Sequence, residues 1–202
     1  MQIITGIAQG EPEWLALRAG IFTMSNASLL EVNGKGEGGL GAGAITYMHQ
    51  LIGERFTGEV EGFAGNSHTE RGHEVEEIVK SGMYVGGQEH KCSDVTIILN
   101  HGVGYSPDWV VGDAGLLEVK SKMAKFQVGI LLNKEVPSEH IGQLQGGLWV
   151  SERDWIDFIS YSQGMPMFEK RVYRDEKYIK NLSEKIKVFY EVMEQKIEAI
   201  LK

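Results

Sequence analysis

Two carboxylates and a lysine in the middle of the chain have the residue types and spacing for phosphodiester hydrolysis. Asp108 follows Ser106 and Pro107, and Glu118 and Lys120 come later in the same segment. Because side chains alternate along a strand, Glu118 and Lys120 would share one face of it. Carboxylates are ligands that Mg²⁺ accepts, and a nearby lysine can hold the attacking water and offset phosphate charge. The group therefore predicts metal-dependent cleavage of a phosphodiester.

The residues between these side chains predict a hairpin. Residues 112–115 carry strong turn signals, and residues 116–119 form a short apolar run of high β-propensity. Asp108 would then begin one arm, and Glu118 would lie in the other. The same pattern also occurs where the Glu-x-Lys pair is only a solvated cross-strand pair. Other parts of the chain must decide between the two interpretations.

Composition limits the class of protein. A chain of 202 residues with 42% hydrophobic and 24% charged residues predicts one globular domain, 1–202. It has no apolar run of about 18 residues and no basic-then-apolar leader pattern, which predicts a cytoplasmic protein outside the membrane. The single cysteine, Cys92, fits a reducing compartment and predicts a small buried side chain.

The net charge of −8 argues against a protein that coats nucleic acid without specificity, because phosphate contacts need lysine and arginine. A nuclease is still allowed, since a local basic lining and divalent cations can offset phosphate charge. Four lysines after the hairpin could supply such a lining, although a solvated face is their default interpretation: Lys120, Lys122, Lys125 and Lys134.

Periodicity predicts an α/β fold with a small mixed central sheet flanked by helices. A short helix is expected around Trp14 and another after residues 23–26, with Ser25 or Asn26 as its cap. Longer helices are expected over 44–56, 69–83, 140–150 and 182–201, and strands over 94–99, 102–105, 116–119 and 155–161. Residues 34–43 are glycine-rich but lack the Gly-Lys-Ser/Thr ending of a P-loop, which predicts a flexible loop.

Three polar features of the helices have more than one interpretation. Gln143 and Gln145 are about 200° apart around a helix axis, so at most one can face a site, and periodicity does not say which. Glu76 could reach inward from its helix, although a charged helix surface is the more common situation. Asn181 with Glu184 predicts a capping box for the last helix.

Five motifs follow one another along the chain. They are Trp-Leu-Ala-Leu-Arg-Ala-Gly at 14–20 with Thr-Met-Ser at 23–25, Gly-His-Glu-Val-Glu at 72–76, Ser-Pro-Asp at 106–108 with Glu-Val-Lys at 118–120, Gln-Leu-Gln-Gly-Gly-Leu-Trp-Val at 143–150, and Arg-Asp-Glu-Lys-Tyr at 174–178, before the last helix. Together they resemble the phage lambda-type alkaline exonucleases, also called the YqaJ-like viral recombinase family, a branch of the PD-(D/E)xK nucleases. A chance match to all five in the right order is improbable.

The resemblance implies a restriction-endonuclease-like core and a role for each matching residue. Asp108, Glu118, the backbone carbonyl of Val119 and Glu76 would bind two Mg²⁺ ions, for which Mn²⁺ can substitute. Lys120 would activate the water, and Gln143 would contact the scissile region. The pocket for a terminal 5′-phosphate would consist of Arg18, Ser25 and Ser106, which offer a planar fork of donors and two hydroxyls.

The resemblance also implies the substrate and the partners. It implies 5′-to-3′ digestion of one strand of linear duplex DNA to 5′-mononucleotides, for phage recombination beside a single-strand annealing protein. It further implies a homotrimeric ring, encoded by a phage or prophage and present in the bacterial cytoplasm. Three departures are the glycine-rich stretch 34–43, the absence of Cys-Pro after Lys120, and a polar Asn-Ser-His-Thr at 66–69 where relatives place an apolar wedge.

Two other functions are compatible with these residues. A PD-(D/E)xK endonuclease or repair nuclease would have the same site without needing DNA ends. A non-catalytic DNA-binding module could retain the fold, but the presence of Asp108, Glu118 and Lys120 together argues against it.

Overall fold

The chain folds around two mixed β-sheets, in a computed structural model that describes residues 1–60, 92–93 and 95–202. The α/β class is confirmed, although two sheets are present where the sequence predicted one. The strands are β1 Gln2–Ile4, β2 Phe22–Thr23, β3 Cys92–Ser93, β4 Ile97–Asn100, β5 Val103–Tyr105, β6 Trp109–Val111, β7 Gly115–Ser121, β8 Trp155–Tyr161 and β9 Phe168–Tyr173. The α-helices are α1 Pro12–Arg18, α2 Ala42–Thr57, α3 Ala124–Asn133, α4 Ser138–Ser151 and α5 Glu176–Leu201.

The larger sheet contains the predicted hairpin. Its strand order is β3-β6-β7-β8-β9, and β6 and β7 pair antiparallel with Trp109 opposite Leu117. The pairing of β7 with β8 is parallel, which requires a crossover connection, and α3 and α4 provide it. Strand alternation puts Val119 in a small apolar cluster on one face of β7, whereas Glu118 and Lys120 leave the other face.

The smaller sheet, in the order β1-β4-β5-β2, lies where the main core meets the site. Its strand β5 ends at Tyr105, directly before the Ser-Pro-Asp motif. Helix α4 packs against β5 and against a 3₁₀ helix, Met24–Leu30. The backbone that enters the hairpin is therefore supported by β5 and α4.

The last helix is longer than its sequence pattern predicted. Its apolar stripe is buried at Leu182, Ile186 and Phe189 but ends in exposed residues at Ile200 and Leu201. Among the described helices, none combines the length and apolar character needed to cross a bilayer.

The two predicted helix caps are wrong. Helix α5 begins at Glu176, and the Asp175 side chain accepts a hydrogen bond of 3.0 Å from the Tyr178 amide, so that Asn181 and Glu184 lie inside the helix. Asp175 can cap because the helical pattern extends back to the buried Ile179, before the residues that suggested a start.

The second error lies at the 3₁₀ helix. Thr23 is its N-cap, whereas Ser25 and Asn26 lie within its first turn. Thr23 takes that place because strand β2 ends there, and Asn26 turns back to donate to the Thr23 hydroxyl at 3.2 Å.

Other predicted segments can be compared directly. The helices predicted over 44–56 and 140–150 are present as α2 and α4, and the strand predicted over 155–161 is β8. The glycine-rich stretch contains a short 3₁₀ turn, Glu37–Gly39, and is closed by a bridge between Asn33 and Leu40. The helix predicted over 69–83, with Glu76 and Glu77, lies outside the described residues, as do residues 66–69.

Candidate active site

Glu118 is the centre of the candidate site, and it is 2% exposed. Its Oε1 accepts hydrogen bonds from Lys120 Nζ at 2.5 Å and from Gln143 Nε2 at 2.6 Å. Its Oε2 accepts from Tyr105 Oη at 2.7 Å. A carboxylate this deeply buried is stable only when donors replace its water, and these three side chains do so.

Asp108 lies beside the strand that carries Glu118. Its Oδ2 accepts a hydrogen bond of 2.5 Å from the backbone amide of Val119. Asp108 comes just before β6, and the bond therefore ties the two arms of the hairpin together at the site. The structure thus brings together the side chains of Asp108, Glu118, Lys120 and Gln143.

Tyr105 is a residue of the site that the sequence did not single out. Burial raises the pKa of its phenol well above the usual value, and the charge and hydrogen bond of Glu118 and then the charge of Asp108 raise it further. The phenol therefore remains protonated and donates to Glu118. In the sequence, Tyr105 is merely the last residue of a short apolar strand, which gives no signal of this contact.

The two glutamines point in different directions, as helical geometry requires. Gln143 reaches Glu118, whereas Gln145 is buried and joins α4 to the start of α5. The Gln145 side chain donates to the Tyr173 carbonyl and accepts from the Asp175 amide, each at 2.9 Å. Of the two glutamines, Gln143 is the one that contacts Glu118.

A lysine and a histidine border the site beyond Lys120. Lys122 Nζ lies 2.7 Å from His140 Nε2. Burial, and then the charges of Lys122 and Lys120, lower the pKa of His140 to about 4. His140 is consequently neutral near pH 7, and its ring nitrogen accepts a hydrogen bond from the Lys122 ammonium.

A second polar group lies next to the first and contains the three residues predicted to bind a 5′-phosphate. The Arg18 guanidinium stacks 4.0 Å from the Trp14 ring centre, and Trp14 Nε1 donates to Ser106 Oγ at 3.1 Å. Arg18 also donates to Thr23 Oγ1 at 3.3 Å, which lies 3.2 Å from Ser25 Oγ. The sequence named the arginine and the two serines, but the structure adds the two residues that connect them.

The turn after α1 holds Arg18 in place. Gly20 has a positive φ of 68°, and its amide donates to the buried Glu54 carboxylate at 2.9 Å. Arg55 Nε donates to the Gly20 carbonyl at 3.0 Å. Burial lowers the pKa of Arg18, while Tyr47 and Glu54 oppose this effect. Glu54 therefore stabilises both the turn and the charge of Arg18.

The two polar groups meet along one short segment of backbone. Tyr105 contacts Glu118, Ser106 contacts Trp14, and Asp108 contacts the Val119 amide. The predicted phosphate pocket and the predicted hydrolytic group are thus joined by residues 105–108.

The donors of the site suit a hard divalent cation. Asp108 and Glu118 supply carboxylate oxygens, and the Val119 carbonyl belongs to the same stretch of backbone. Their combined negative charge contributes to the raised pKa of Tyr105. Within the described part of the chain, no group of three or more His, Cys, Asp or Glu side chains is placed to hold a metal ion. The predicted third acidic ligand, Glu76, lies outside that part.

Comparisons with known structures give close matches over nearly the whole chain. An alkaline exonuclease, LHK-Exo from Laribacter hongkongensis, is 29% identical and superposes with a TM-score of 0.82, covering 94% of this chain and 96% of that one. LHK-Exo in complex with dAMP gives a TM-score of 0.83 at 28% identity with the same coverage. A phage-related exonuclease from Haemophilus somnus 129PT shares the fold, at 16% identity and a TM-score of 0.67, over 89% of this chain and 96% of that one.

Sequence comparison gives the family. No curated protein matches the chain significantly. The model of the YqaJ-like viral recombinase domain matches residues 13–154, a span that contains both polar groups. The chain therefore belongs to the YqaJ-like viral recombinase family.

Proposed function

We propose that this chain is a Mg²⁺-dependent exonuclease that digests one strand of linear double-stranded DNA from its 5′ ends. Family membership and the match to LHK-Exo support the broader assignment, a DNA exonuclease of phage-type recombination. The more specific assignment, digestion from 5′ ends, rests on the segment 105–108, which joins the Glu118 group to the Arg18 group. A hydrolytic site adjoining a phosphate pocket suits an enzyme that starts at a chain end.

Asp108 and Glu118 would hold two Mg²⁺ ions, or Mn²⁺ in their place, with the Val119 carbonyl and Glu76 as further ligands. Two ions bound together stabilise the attacking and leaving oxygens of an in-line displacement at phosphorus. The Val119 amide already orients the Asp108 carboxylate. Gln143 and Lys120 orient that of Glu118 in the same way.

Lys120 and Gln143 would act on the substrate. In the structure both donate to Glu118 Oε1, so their donor groups lie within reach of one point. The Lys120 side chain is 26% exposed, so its ammonium can contact water. We assign to Lys120 the positioning and activation of the attacking water, and to Gln143 contact with the scissile phosphate.

Arg18, Ser25 and Ser106 would bind the terminal 5′-phosphate. Stacking on Trp14 fixes the plane of the guanidinium, which then presents its donors as a fork. The serine hydroxyls are linked to the same group through Thr23 and Trp14. A phosphate dianion bound there would place the first phosphodiester toward Asp108, since Ser106 is two residues away.

The products and the partners are further parts of the proposal. LHK-Exo forms a complex with dAMP, which supports 5′-phosphomononucleotides as products here. We further propose that residues 1–202 act as one domain in a homotrimeric ring, beside a single-strand annealing protein in the cytoplasm of a bacterial host.

The test is digestion of linear duplex DNA, with 5′-phosphate or 5′-hydroxyl ends, in Mg²⁺. The wild-type chain should prefer phosphorylated ends, and Asp108→Ala should lose activity by about 100-fold or more. Arg18→Ala should lower the preference for phosphate more than the rate on hydroxyl ends. Lys187→Ala, at an exposed position of α5, is the matched control and should behave as wild type.

Two results would overturn the assignment. Full activity of Asp108→Ala would refute the assignment of the metal site. Equal rates on phosphorylated and hydroxyl ends would refute the assignment of the phosphate pocket. The alternative, an endonuclease with the same site, predicts degradation of closed circular duplex. The exonuclease should leave that substrate intact.

A further inference from the structure

The two oxygens of Glu118 face different surroundings. On the Oε1 side are Lys120 and Gln143, and the Lys120 side chain is 26% exposed. On the Oε2 side is Tyr105, which is 2% exposed and belongs to the main core. The carboxylate therefore faces the partly exposed Lys120 side chain at Oε1 and the core at Oε2.

The position of Tyr105 is fixed by a glycine of α4. A Cβ atom on Gly147 would lie 2.7 Å from Cζ and 2.8 Å from Cε1 of Tyr105, so the ring packs directly on the helix backbone. Tyr105 is also held in the smaller sheet, where it pairs with Ile98. The ring has no room to move toward α4, which sets the place of its hydroxyl.

One face of α4 thus holds Glu118 from both sides. Gln143 and Gly147 are one turn apart, at positions i and i+4, and share a helix face. Gln143 contacts Oε1 directly, and Gly147 determines the contact at Oε2 through the Tyr105 ring. Small changes in this helix face would therefore turn the carboxylate plane.

We propose that Tyr105 is a positioning residue that fixes Glu118 Oε2 on the buried side and leaves Oε1 as the oxygen available to the divalent cation. The inference rests on the proposed function, since it takes Glu118 to be a metal ligand. Without the tyrosine hydroxyl, the carboxylate would be free to rotate, and one buried oxygen would lack a donor. Partners of this kind orient a ligand and commonly change metal affinity by about 10- to 100-fold.

The experiment measures Mn²⁺ binding without DNA, from the electron paramagnetic resonance signal of the free ion. We expect Tyr105→Phe to weaken binding by about 10- to 100-fold while keeping the ring in the core. Gly147→Ala retains the hydroxyl but moves the ring, and it should weaken binding in the same direction. Tyr161→Phe is the control, because it removes the hydroxyl group of another buried tyrosine, on β8, in the cluster that contains Val119.

Nuclease assays supply a second measurement. For Tyr105→Phe, the Mg²⁺ concentration that gives half-maximal rate should rise, while KM for DNA should not change. Loss of packing alone would lower the melting temperature without this separation.

The outcomes separate this inference from the proposed function. If Tyr105→Phe binds Mn²⁺ as tightly as wild type while Glu118→Gln does not, the role of Tyr105 is refuted and the metal site stands. If the wild-type chain binds no Mn²⁺ and Asp108→Ala remains active, both fail. Should Gly147→Ala not fold, the comparison of Tyr105→Phe with Tyr161→Phe decides alone.

Discussion

At the scale of single residues, the site is a set of charges whose hydration has been replaced by protein donors. Glu118 accepts from three side chains, and Asp108 accepts from a backbone amide. Each of these bonds limits the movement of a carboxylate that would otherwise have several rotamers. The order of the site before any cation binds reduces the cost of binding one.

His140 gives the protein a specific response to acid. Its pKa is lowered from 6.5 to about 4, so the folded chain takes up this proton less readily than the unfolded chain. The contribution to the free energy of unfolding is therefore complete above about pH 6.5 and is lost as the pH falls toward 4. Glutamine does not titrate, so His140→Gln should lose less stability than wild type between pH 6.5 and 4. The difference in the free energy of unfolding lost should be up to about 3 kcal/mol.

Urea unfolding at several pH values between 7 and 4 measures this difference. The control is His49→Gln, at an exposed histidine of α2, which should follow the wild-type profile. Parallel profiles for His140→Gln and wild type would show that His140 is protonated equally in both states.

At the scale of secondary structure, the site depends on how the ends of elements are held. The turn between α1 and β2 is held by Glu54 and Arg55 of α2, which contact the amide and the carbonyl of Gly20. A Cβ on Gly20 would lie 2.3 Å from Arg55 Cγ, and its φ is positive, so glycine is required there. Helix α2 thereby supports the turn that follows Arg18, and its Tyr47 hydroxyl also lies 3.3 Å from Thr23 Oγ1 in the second polar group.

Glu54→Ala should show this dependence. It leaves the buried Gly20 amide without its acceptor, which costs about 1–3 kcal/mol, or a decrease of about 3–10 °C in melting temperature. Without this contact the turn that follows Arg18 is less firmly held, so the preference for 5′-phosphorylated ends should decrease. Calorimetry and end-specific digestion measure the two effects.

Glu194→Ala is the matched control for Glu54→Ala, because Glu194 is an exposed partner of Arg55 and an exposed ion pair contributes little. A destabilised Glu54→Ala with unchanged preference for phosphate would show that the turn does not position Arg18.

The elements were predictable where the local pattern determines them. The hairpin of β6 and β7 has turn residues at its tip, and the two glutamines of α4 are separated by helical geometry alone. The contacts of Tyr105 with Glu118 and of Gly20 with Glu54 join residues of different elements, and no local pattern reports them. The caps of α5 and the 3₁₀ helix were not predicted because several polar residues near each helix start could serve as the N-cap. Tertiary packing determines which of them does.

At the scale of the whole molecule, the proposed function requires an acidic chain to bind a polyanion. The net charge is −8, yet Arg18, Lys120 and Lys122 lie within or beside the two polar groups. Attraction to the proposed DNA substrate would therefore come from a limited area that contains these residues. A ring that encloses the duplex needs a basic lining only along its channel, which reconciles the overall charge with the proposed substrate.

The proposed homotrimeric ring can be tested separately from the chemistry of the active site. Sedimentation velocity should give a mass of three times 22.5 kDa at concentrations where the enzyme is active. A linear duplex whose two ends are closed by hairpins should resist digestion, and cutting off one hairpin to leave a 5′-phosphate should restore it. A fully active species of single-chain mass would contradict the ring and leave the site unaffected. A ring can thread onto DNA only at a free end, and the closed duplex has none. Digestion of the closed duplex would therefore show that Asp108 and Glu118 cleave DNA without a free end.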